Sequence, residues 1–383
     1  MPSIETSADN IKAAWARLSH IPNAKPVIDS HSLAMIAKSS TGFSLSAQNQ
    51  HVYGGSLCVA NCDIPEGWKF FVNAAQMNKI VRNAEGVITM KQNSNELVVA
   101  SRGWIMRLPS IVAEFNRPVL HDGKSTFATK VAQLSAGLEA GKAATGKADK
   151  VFAVDIVTLD MTNKERPVVF AIDGTNSSVH DLPIIEEPHN GGVAKLPLPS
   201  VSHAISFTRY EDGIVRIMHD MNNAVIYNDA CFLYMRLAEG NVPPWGRIIA
   251  ANACSRIATV ETRELSNAVM VVSSVIDPES PEAAGIRVIM DHGTIVLSAR
   301  SSQFGSSEAT VPYEGGPEGP VEFKLGAGRF AKALARFSEP MIQFGLNDNN
   351  AGATFQSGPL MWVLAVIAEG EYDDGVQEEG APD

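Results

Sequence analysis

With 383 residues, 45% of them hydrophobic and 19% charged, and a formal charge of −11, the chain is long enough for two to three domains with sizeable cores. Its apolar runs fall short of the roughly 18 residues of a membrane helix, and its N-terminus lacks the basic-then-apolar layout of a signal peptide, so a cytoplasmic protein without a membrane partner is expected. Cys58, Cys62, Cys231 and Cys254 are too scattered for a disulfide framework, while seven acids in the last fifteen residues, EGEYDDGVQEEGAPD, leave the rest near charge balance and do not exclude nucleic acid.

In chain order, the spacing predicts a helix over residues 7–19 (SADNIKAAWARLS), then three strand-like runs, HSLAMIA, GFSLSAQ and GSLCVAN. A second helix over 73–85 (NAAQMNKIVRNAE) leads into a hairpin over 87–101 (VITMKQNSNELVVAS), whose arms alternate apolar and polar residues around an Asn-rich turn. The order then returns. A helix over 127–141 (FATKVAQLSAGLEAG), with Val131, Leu134 and Leu138 at helical spacing, precedes KVFAVDIVTLDM, RPVVFAID and VHDLPI, a helix over 199–209 and a hairpin over 213–229 (GIVRIMHDMNNAVIYND). A third round has a helix over 261–275, the runs GIRVIMD, GTIVLSA and EATVPYE, a helix over 326–338 (GAGRFAKALARFS) and a hairpin over 341–356 (MIQFGLNDNNAGATFQ). Three copies in order predict a triplicated α+β protein of two-helix, antiparallel-sheet domains at 1–117, 118–252 and 253–368, followed by a solvated acidic tail at 369–383.

Two stretches approach enzymatic motifs and miss them. GKAATGKA (residues 141–148) is close to the phosphate-cradling G-x-x-x-x-G-K-[ST], but Ala148 replaces the Mg²⁺-holding hydroxyl, and the stretch follows a helix instead of leaving a buried strand. VFAIDGT (169–175) is close to the D-x-D-G-T of haloacid-dehalogenase-like phosphate-transfer enzymes, but Ala171 stands where the nucleophilic Asp belongs. The histidines show no metal-binding or catalytic spacing. No enzyme, cofactor or metal site is therefore expected.

FLYMRLAEGNVPPWGRIIA (232–250) and FAIDGTNSSVHDLPI (170–184) are the most specific phrases. Within a threefold repeat of this length, they resemble the bacterial DNA polymerase sliding clamp, the beta subunit of the replicative polymerase. The first is similar to the end of that family's second domain, a strand followed by Leu, a small residue, Gly and Pro, then Arg and an apolar pair. The second is similar to its Ala-Thr-Asp-Gly-His-Arg-Leu strand and turn, keeping Asp173 and Gly174. The resemblance covers nearly the whole chain and implies the DNA clamp fold: a head-to-tail homodimeric ring whose helices line a hole around duplex DNA. Such a ring is a processivity factor and not an enzyme. It raises the polymerase's effective concentration at its template without reading sequence.

The helices carry charge that suits this reading. Phe330, Leu334 and Phe337 form an apolar stripe, and Arg329, Lys332 and Arg336 form a basic one; Lys79 and Arg82 repeat the pattern opposite Met77, Ile80 and Val81. Lys12, Lys130 and Arg209 make the other helices thinner in charge. The resemblance places Lys25, Lys142, Lys147 and Lys150 in loops at the rim of the hole, as phosphate contacts. It also implies a groove for polymerase and clamp-loader peptides, with Val154, Ile172, Gly174, Pro243, Arg247 and Ile248 as wall and Val363, Leu364 and Ile367 as floor. Here the chain departs from the family: Ala365, Val366 and Ile367 replace a Met-Pro-Met end, and Thr175, Asn176 and Ser177 replace His-Arg-Leu. The ring seam would use Trp104, Met106, Val275 and Ile276. The rival expectation is a repeated, strand-rich structural or interaction protein that encircles no DNA.

Overall fold

The structure, a computed structural model, describes residues 1–93, 95–120, 125–146, 154–189, 191–252, 254–276, 285–317, 319–347 and 351–367. Two compact units divide it. Unit 1 is Met1–Lys142, Asp155–Val169 and Asp181–Gly240, and unit 2 is Ala143–Val154, Phe170–His180 and Asn241–Asp383. No helix among the described residues is long and apolar enough to cross a membrane.

One element order occurs three times. The first copy runs β1 (Ser3–Ser7), α1 (Ala8–Ala16), β2 (Leu33–Ser39), β3 (Gly42–Gln48), β4 (Val52–Val59), β5 (Asn61–Asp63), β6 (Lys69–Asn73), α2 (Ala74–Asn83), β7 (Val87–Asn93), β8 (Glu96–Ser101) and β9 (Trp104–Pro109). The second runs β10 (Ser125–Lys130), α3 (Val131–Ala144), β11 (Ile156–Asp160), β12 (Val168–Ile172), β13 (Asn176–Asp181), β14 (Glu186–His189), β15 (Val193–Pro197), α4 (Leu198–Thr208), β16 (Ile214–His219), β17 (Asn223–Tyr227) and β18 (Cys231–Arg236). After the short α5 (Trp245–Ala251) comes the third: β19 (Cys254–Glu261), α6 (Thr262–Ser273), β20 (Gly285–Asp291), β21 (Thr294–Ser301), β22 (Gly305–Pro312), β23 (Glu314–Gly315), β24 (Val321–Gly326), α7 (Ala327–Leu334), β25 (Met341–Asn347), β26 (Gly352–Ser357) and β27 (Leu360–Ala365). The α+β expectation and both helices of every copy are found.

Local chemistry sets the helix starts. The Ser7 hydroxyl accepts from Asn10 N–H at 3.1 Å at the head of α1, and the Asn73 carboxamide accepts from Ala75 N–H at 2.9 Å at the head of α2. Two features differ from expectation. Each copy opens with a strand before its first helix, and this strand pairs with the one following the second helix: β1 with β7, β10 with β16, β19 with β25. Those partners lie some eighty residues away, so local periodicity carries no trace of the pairing. The other difference is that α7 ends at Leu334, which leaves Arg336 in the turn beyond it.

Consecutive copies share sheets by one rule. In unit 1 the ninth strand of the second copy pairs with the fourth strand of the first: Cys231, Leu233 and Met235 of β18 lie opposite Ser56, Gly54 and Val52 of β4. In unit 2 the ninth strand of the third copy pairs with the fourth of the second, with Leu360, Trp362 and Leu364 of β27 opposite His180, Ser178 and Asn176 of β13. Each junction adds one backbone bond, Arg236 N–H to His51 C=O at 3.1 Å and Ala365 N–H to Thr175 C=O at 2.7 Å. Among the described residues, β9 pairs only with β8 and β22 only with β21, so each ends its sheet.

The cores follow from the inward faces. In unit 2, Phe344 and Phe355 are opposed across β25 and β26 with ring centroids 4.7 Å apart, and Phe330 of α7 meets Phe355 at 5.3 Å. The buried Trp362 indole donates to the Asn176 carboxamide across the junction. In unit 1, the segment after β9 lies over the β4–β18 junction: Phe115 packs edge-on against Phe71 at 5.2 Å, and the Arg117 guanidinium sits 5.2 Å from the Phe232 ring. Gly55 makes room for that ring, since a Cβ there would lie 2.3 Å from it.

Two side-chain clusters sit between the first and second copies. Arg17, just past α1, forms an ion pair with Glu211, just past α4, and Glu211 also accepts from the Asn228 amide. His20 and His203 face each other with ring centroids 5.3 Å apart, and the Asn49 amide lies 3.0 Å from His203 Nε2. Burial lowers both imidazoles to about 4, reinforced at His20 by His203 and at His203 by His51. An unfolded chain keeps them near 6.5 and so binds more protons between those limits. Stability is therefore complete above pH 6.5 and is lost as pH falls toward 4, each imidazole contributing at most about 1.4 kcal/mol for every pH step of one. Melting temperature is expected to drop steadily from pH 6.5 to 4, and His203→Gln to flatten that drop; a wild-type melt that ignores pH in this window would contradict the assignment.

Candidate nucleic-acid face and apolar groove

The amphipathic α7 tests the expected basic face most directly. Phe330 and Leu334 are buried, Phe337 is half-buried, and Lys332 and Arg336 are exposed. Arg329 behaves differently. Its Nε lies 3.7 Å from Asp173 Oδ2, and only 30% of its side chain and 14% of that of Asp173 are exposed, so its charge is committed within unit 2. Asp173 Oδ1 also accepts from Thr175 N–H at 2.9 Å and from the Thr175 hydroxyl at 3.0 Å, holding the turn in which Gly174 has φ +94°. Gly146 closes on the same residue, since a Cβ there would lie 2.6 Å from the Asp173 Cβ. Arg329 and Asp173 are both readable in the sequence, but nothing local marks them as partners.

On α2, Met77 and Ile80 are buried while Lys79 and Arg82 are exposed, as the spacing predicts. Lys25 is exposed in the loop after α1. Lys130 is exposed, and Lys142 at the end of α3 donates to the Ser202 hydroxyl of α4 at 2.9 Å. Lys147 and Lys150 lie outside the described residues. Arg209 pairs with Glu139 at 3.8 Å. Lys130, Arg209, Glu139, Glu211 and Asp212 line a cavity of about 670 Å³ in unit 1, which gives the second copy a mixed-charge surface. Positive charge is concentrated on the second helices of the first and third copies.

All nine residues expected in the groove belong to unit 2. The β13–β27 register places Val363 and Leu364 opposite Ser177 and Asn176, directly after Ile172 and the Asp173–Gly174 turn. Val154, Val363 and Leu364 are buried, Ile172 and Ile367 are half-buried and Gly174 is exposed. The Ile367 N–H donates to Lys324 C=O at 3.0 Å and fixes the end of the floor. Pro243 precedes α5, a helix with no buried residue, on which Arg247 is exposed and Ile248 half-buried. Asn252 anchors the end of α5 by accepting from Asn347 Nδ2 at 3.2 Å and from the Thr354 hydroxyl at 3.1 Å. Apolar side chains thus stay unburied along a short, well-anchored helix, in a stretch whose spacing predicts no regular element.

Of the expected seam residues, Trp104 and Met106 are half-buried on β9, and the Trp104 indole donates to Asn83 C=O at 2.8 Å. Val275 is half-buried, but Ile276 is buried inside its own unit and offers little to a partner. The exposed apolar side chains beside the open edges are Ile105 on β9 and Met270, Val271 and Phe304 near β22. Isolated exposed apolar residues are ordinary; of these four, Ile105 lies on an open strand edge, Met270 and Val271 on α6, and Phe304 in the turn before β22.

By sequence alone, no family model and no curated protein matches the chain. Solved structures do match it. The beta subunit of DNA polymerase III from Thermotoga maritima superposes with a TM-score of 0.81 at 15% identity, covering 96% of this chain and 100% of that one. The corresponding subunit from Pseudomonas aeruginosa gives 0.83 at 15% identity over 95% and 99% of the two chains. A sliding clamp from Bartonella birtlesii, bound to griselimycin, gives 0.79 at 16% identity over 96% and 100%. The chain therefore has the fold of the DNA polymerase III beta subunits.

Asp173 both neutralises Arg329 and caps its own turn. Asp173→Ala is expected to cost about 1–3 kcal/mol by leaving the half-buried guanidinium and the Thr175 N–H without a partner. Asp173→Asn keeps the cap acceptor and should cost less. Urea midpoints of the two variants check the order; equal, negligible losses would show that the pair does not hold the turn.

Proposed function

We propose that the chain is a DNA polymerase sliding clamp: two copies close head to tail into a ring around duplex DNA and hold a polymerase there. The observation that carries this reading is the match of the whole chain, 95–96% of it, to solved clamps, across all three copies of one element order. In this reading the copies are three domains, 1–117, 118–252 and 253–368. The ring needs no catalytic group, because its effect is to keep a bound polymerase at high local concentration. Exposed Lys79, Arg82, Lys332 and Arg336 supply phosphate attraction without base readout, with Lys25 and Lys142 as rim contacts. The same role is given to Lys130, Arg209, Lys147 and Lys150, whereas Arg329 serves the Asp173 turn. The groove built from Val154, Ile172, Gly174, Pro243, Arg247, Ile248, Val363, Leu364 and Ile367 is assigned to peptides of the polymerase and the clamp loader. The groove stays apolar, but with Thr175–Asn176–Ser177 and Ala365–Val366–Ile367 in place of the family's residues its shape changes, and with it the peptides it takes. The same reading makes it a cytoplasmic protein.

Two measurements decide the matter. Native mass with low-resolution imaging should give a dimeric ring with an open centre, and protein loaded on duplex DNA should be retained on circles and lost when the circle is cut. A chain that stays monomeric at high concentration, or that leaves circular and cut DNA at equal rates, would favour a strand-rich structural protein instead. Lys79→Ala with Arg82→Ala should leave the ring intact and reduce the salt slope of duplex binding by about two; an unchanged slope would remove α2 from the DNA face.

A further inference from the structure

Two stretches of opposite charge belong to unit 2. Residues 368–383 hold seven acids and neither lysine nor arginine, and residues 327–338, which make up α7 and the turn after it, hold Arg329, Lys332 and Arg336 and no acid. We infer that the acidic segment docks on the basic face of α7 in its own chain, pairing with Lys332 and Arg336 and competing there with duplex DNA. The docking rests on unit 2 alone, and the competition rests on the clamp reading.

Backbone anchors fix where the chain leaves β27. Ala365 donates its N–H to Thr175 C=O at 2.7 Å, two residues beyond the Asp173 that holds Arg329. Ile367 donates to Lys324 C=O at 3.0 Å, three residues before α7 begins. The Ile367 side chain also lies against Gly285, where a Cβ would sit 3.2 Å from Ile367 Cδ1, and Gly285 pairs with Gly326, the residue directly before α7. The acidic segment therefore starts beside the N-terminal end of α7. An extended chain advances at most about 3.3–3.6 Å per residue, so Glu371 comes within about 14 Å of Ile367 and Asp374 within about 25 Å. A helix rises about 1.5 Å per residue, which sets Arg336 roughly 14 Å from the start of α7. Glu369, Glu371, Asp373 and Asp374 thus span the distance to both exposed cations.

Charge singles out α7 among the helices of unit 2. On α6, Arg263 is flanked by Glu261 and Glu264, and α5 carries Arg247 alone. Arg329 is already committed to Asp173, which leaves Lys332 and Arg336 as the exposed pair that carboxylates meet. Each such pair at a surface is weak, but a segment tethered beside its target acts at an effective concentration on the order of millimolar. Docking then weakens as salt shortens the Debye length from about 10 Å at 0.1 M to about 3 Å at 1 M. Duplex arriving at α7 has to displace the segment. Its binding is weaker for that reason, and its salt dependence is shallower, because added salt loosens the competitor along with the DNA.

Cross-linking the full chain at about 50 mM salt with a carbodiimide, which joins a carboxylate to a lysine amine, tests the docking without DNA. Peptide mapping should find Lys332 joined to residues 369–374 of the same chain, with the yield falling at least about threefold in 1 M salt. With light and isotope-labelled chains mixed, a link that forms only between chains, or no link at Lys332, overturns the docking. The competition is read from one full-length variant that combines Glu369→Gln, Glu371→Gln, Asp373→Asn and Asp374→Asn. At low salt it should bind duplex about three- to tenfold more tightly than the wild type, and the gain should fade as salt rises. With Lys332→Ala and Arg336→Ala also present, the same four changes should give no gain; a gain of equal size there reports diffuse repulsion between the acids and DNA and overturns docking on α7. A Lys332 link without any gain in duplex binding removes the competition and keeps the docking. Duplex bound by no variant removes the clamp reading, and the link alone then decides the docking.

Discussion

Backbone groups at the rim of a sheet must find partners, and in this chain the second and third copies each meet that need by lending their last strand to the fourth strand of the copy before. The rule turns three similar modules into a connected series, positions the Asp173 turn against β27, and leaves the ninth strand of the first copy and the fourth strand of the third among the strands that end their sheets. In the proposed ring, closure and assembly are one property.

Function in this reading comes from placement and needs no reactive group. The cations are modest in number, and they stand out on α2 and α7, whereas the second copy places Lys130 and Arg209 among acids. Sparse contacts hold DNA weakly enough to let it slide, since each phosphate contact adds affinity that sliding must overcome. Arg329 shows how a residue on a basic helix can serve another purpose. By facing Asp173 it ties α7 to the turn that forms one wall of the groove, so the helix assigned to DNA and the wall assigned to peptides share an ion pair.

Much of this is legible in the sequence. The triplicate, both helices of each copy and the exposed Lys79 and Arg82 follow from the 3.6-residue spacing of apolar side chains, a local property that survives at low sequence identity. The opening strands β1, β10 and β19 are not legible, because their partners lie far along the chain and short strands carry little pattern of their own. The helical form of α5 is hidden too: a helix that buries nothing has no inward stripe to announce it.

By itself, then, the sequence determined what depends on neighbours along the chain: three copies, their helices and hairpins, the absence of a complete phosphate-binding motif, and a likeness specific enough to suggest a clamp. Only the tertiary structure decided what depends on contacts at long range. It paired Arg329 with Asp173, buried Ile276 within its own unit, set β18 on β4 and β27 on β13, and left β9 and β22 at the ends of their sheets. The reason is physical. Periodicity records which side of an element faces a core, but strand register and ion-pair partners are set by backbone and charge groups from distant segments, whose meeting no local pattern encodes.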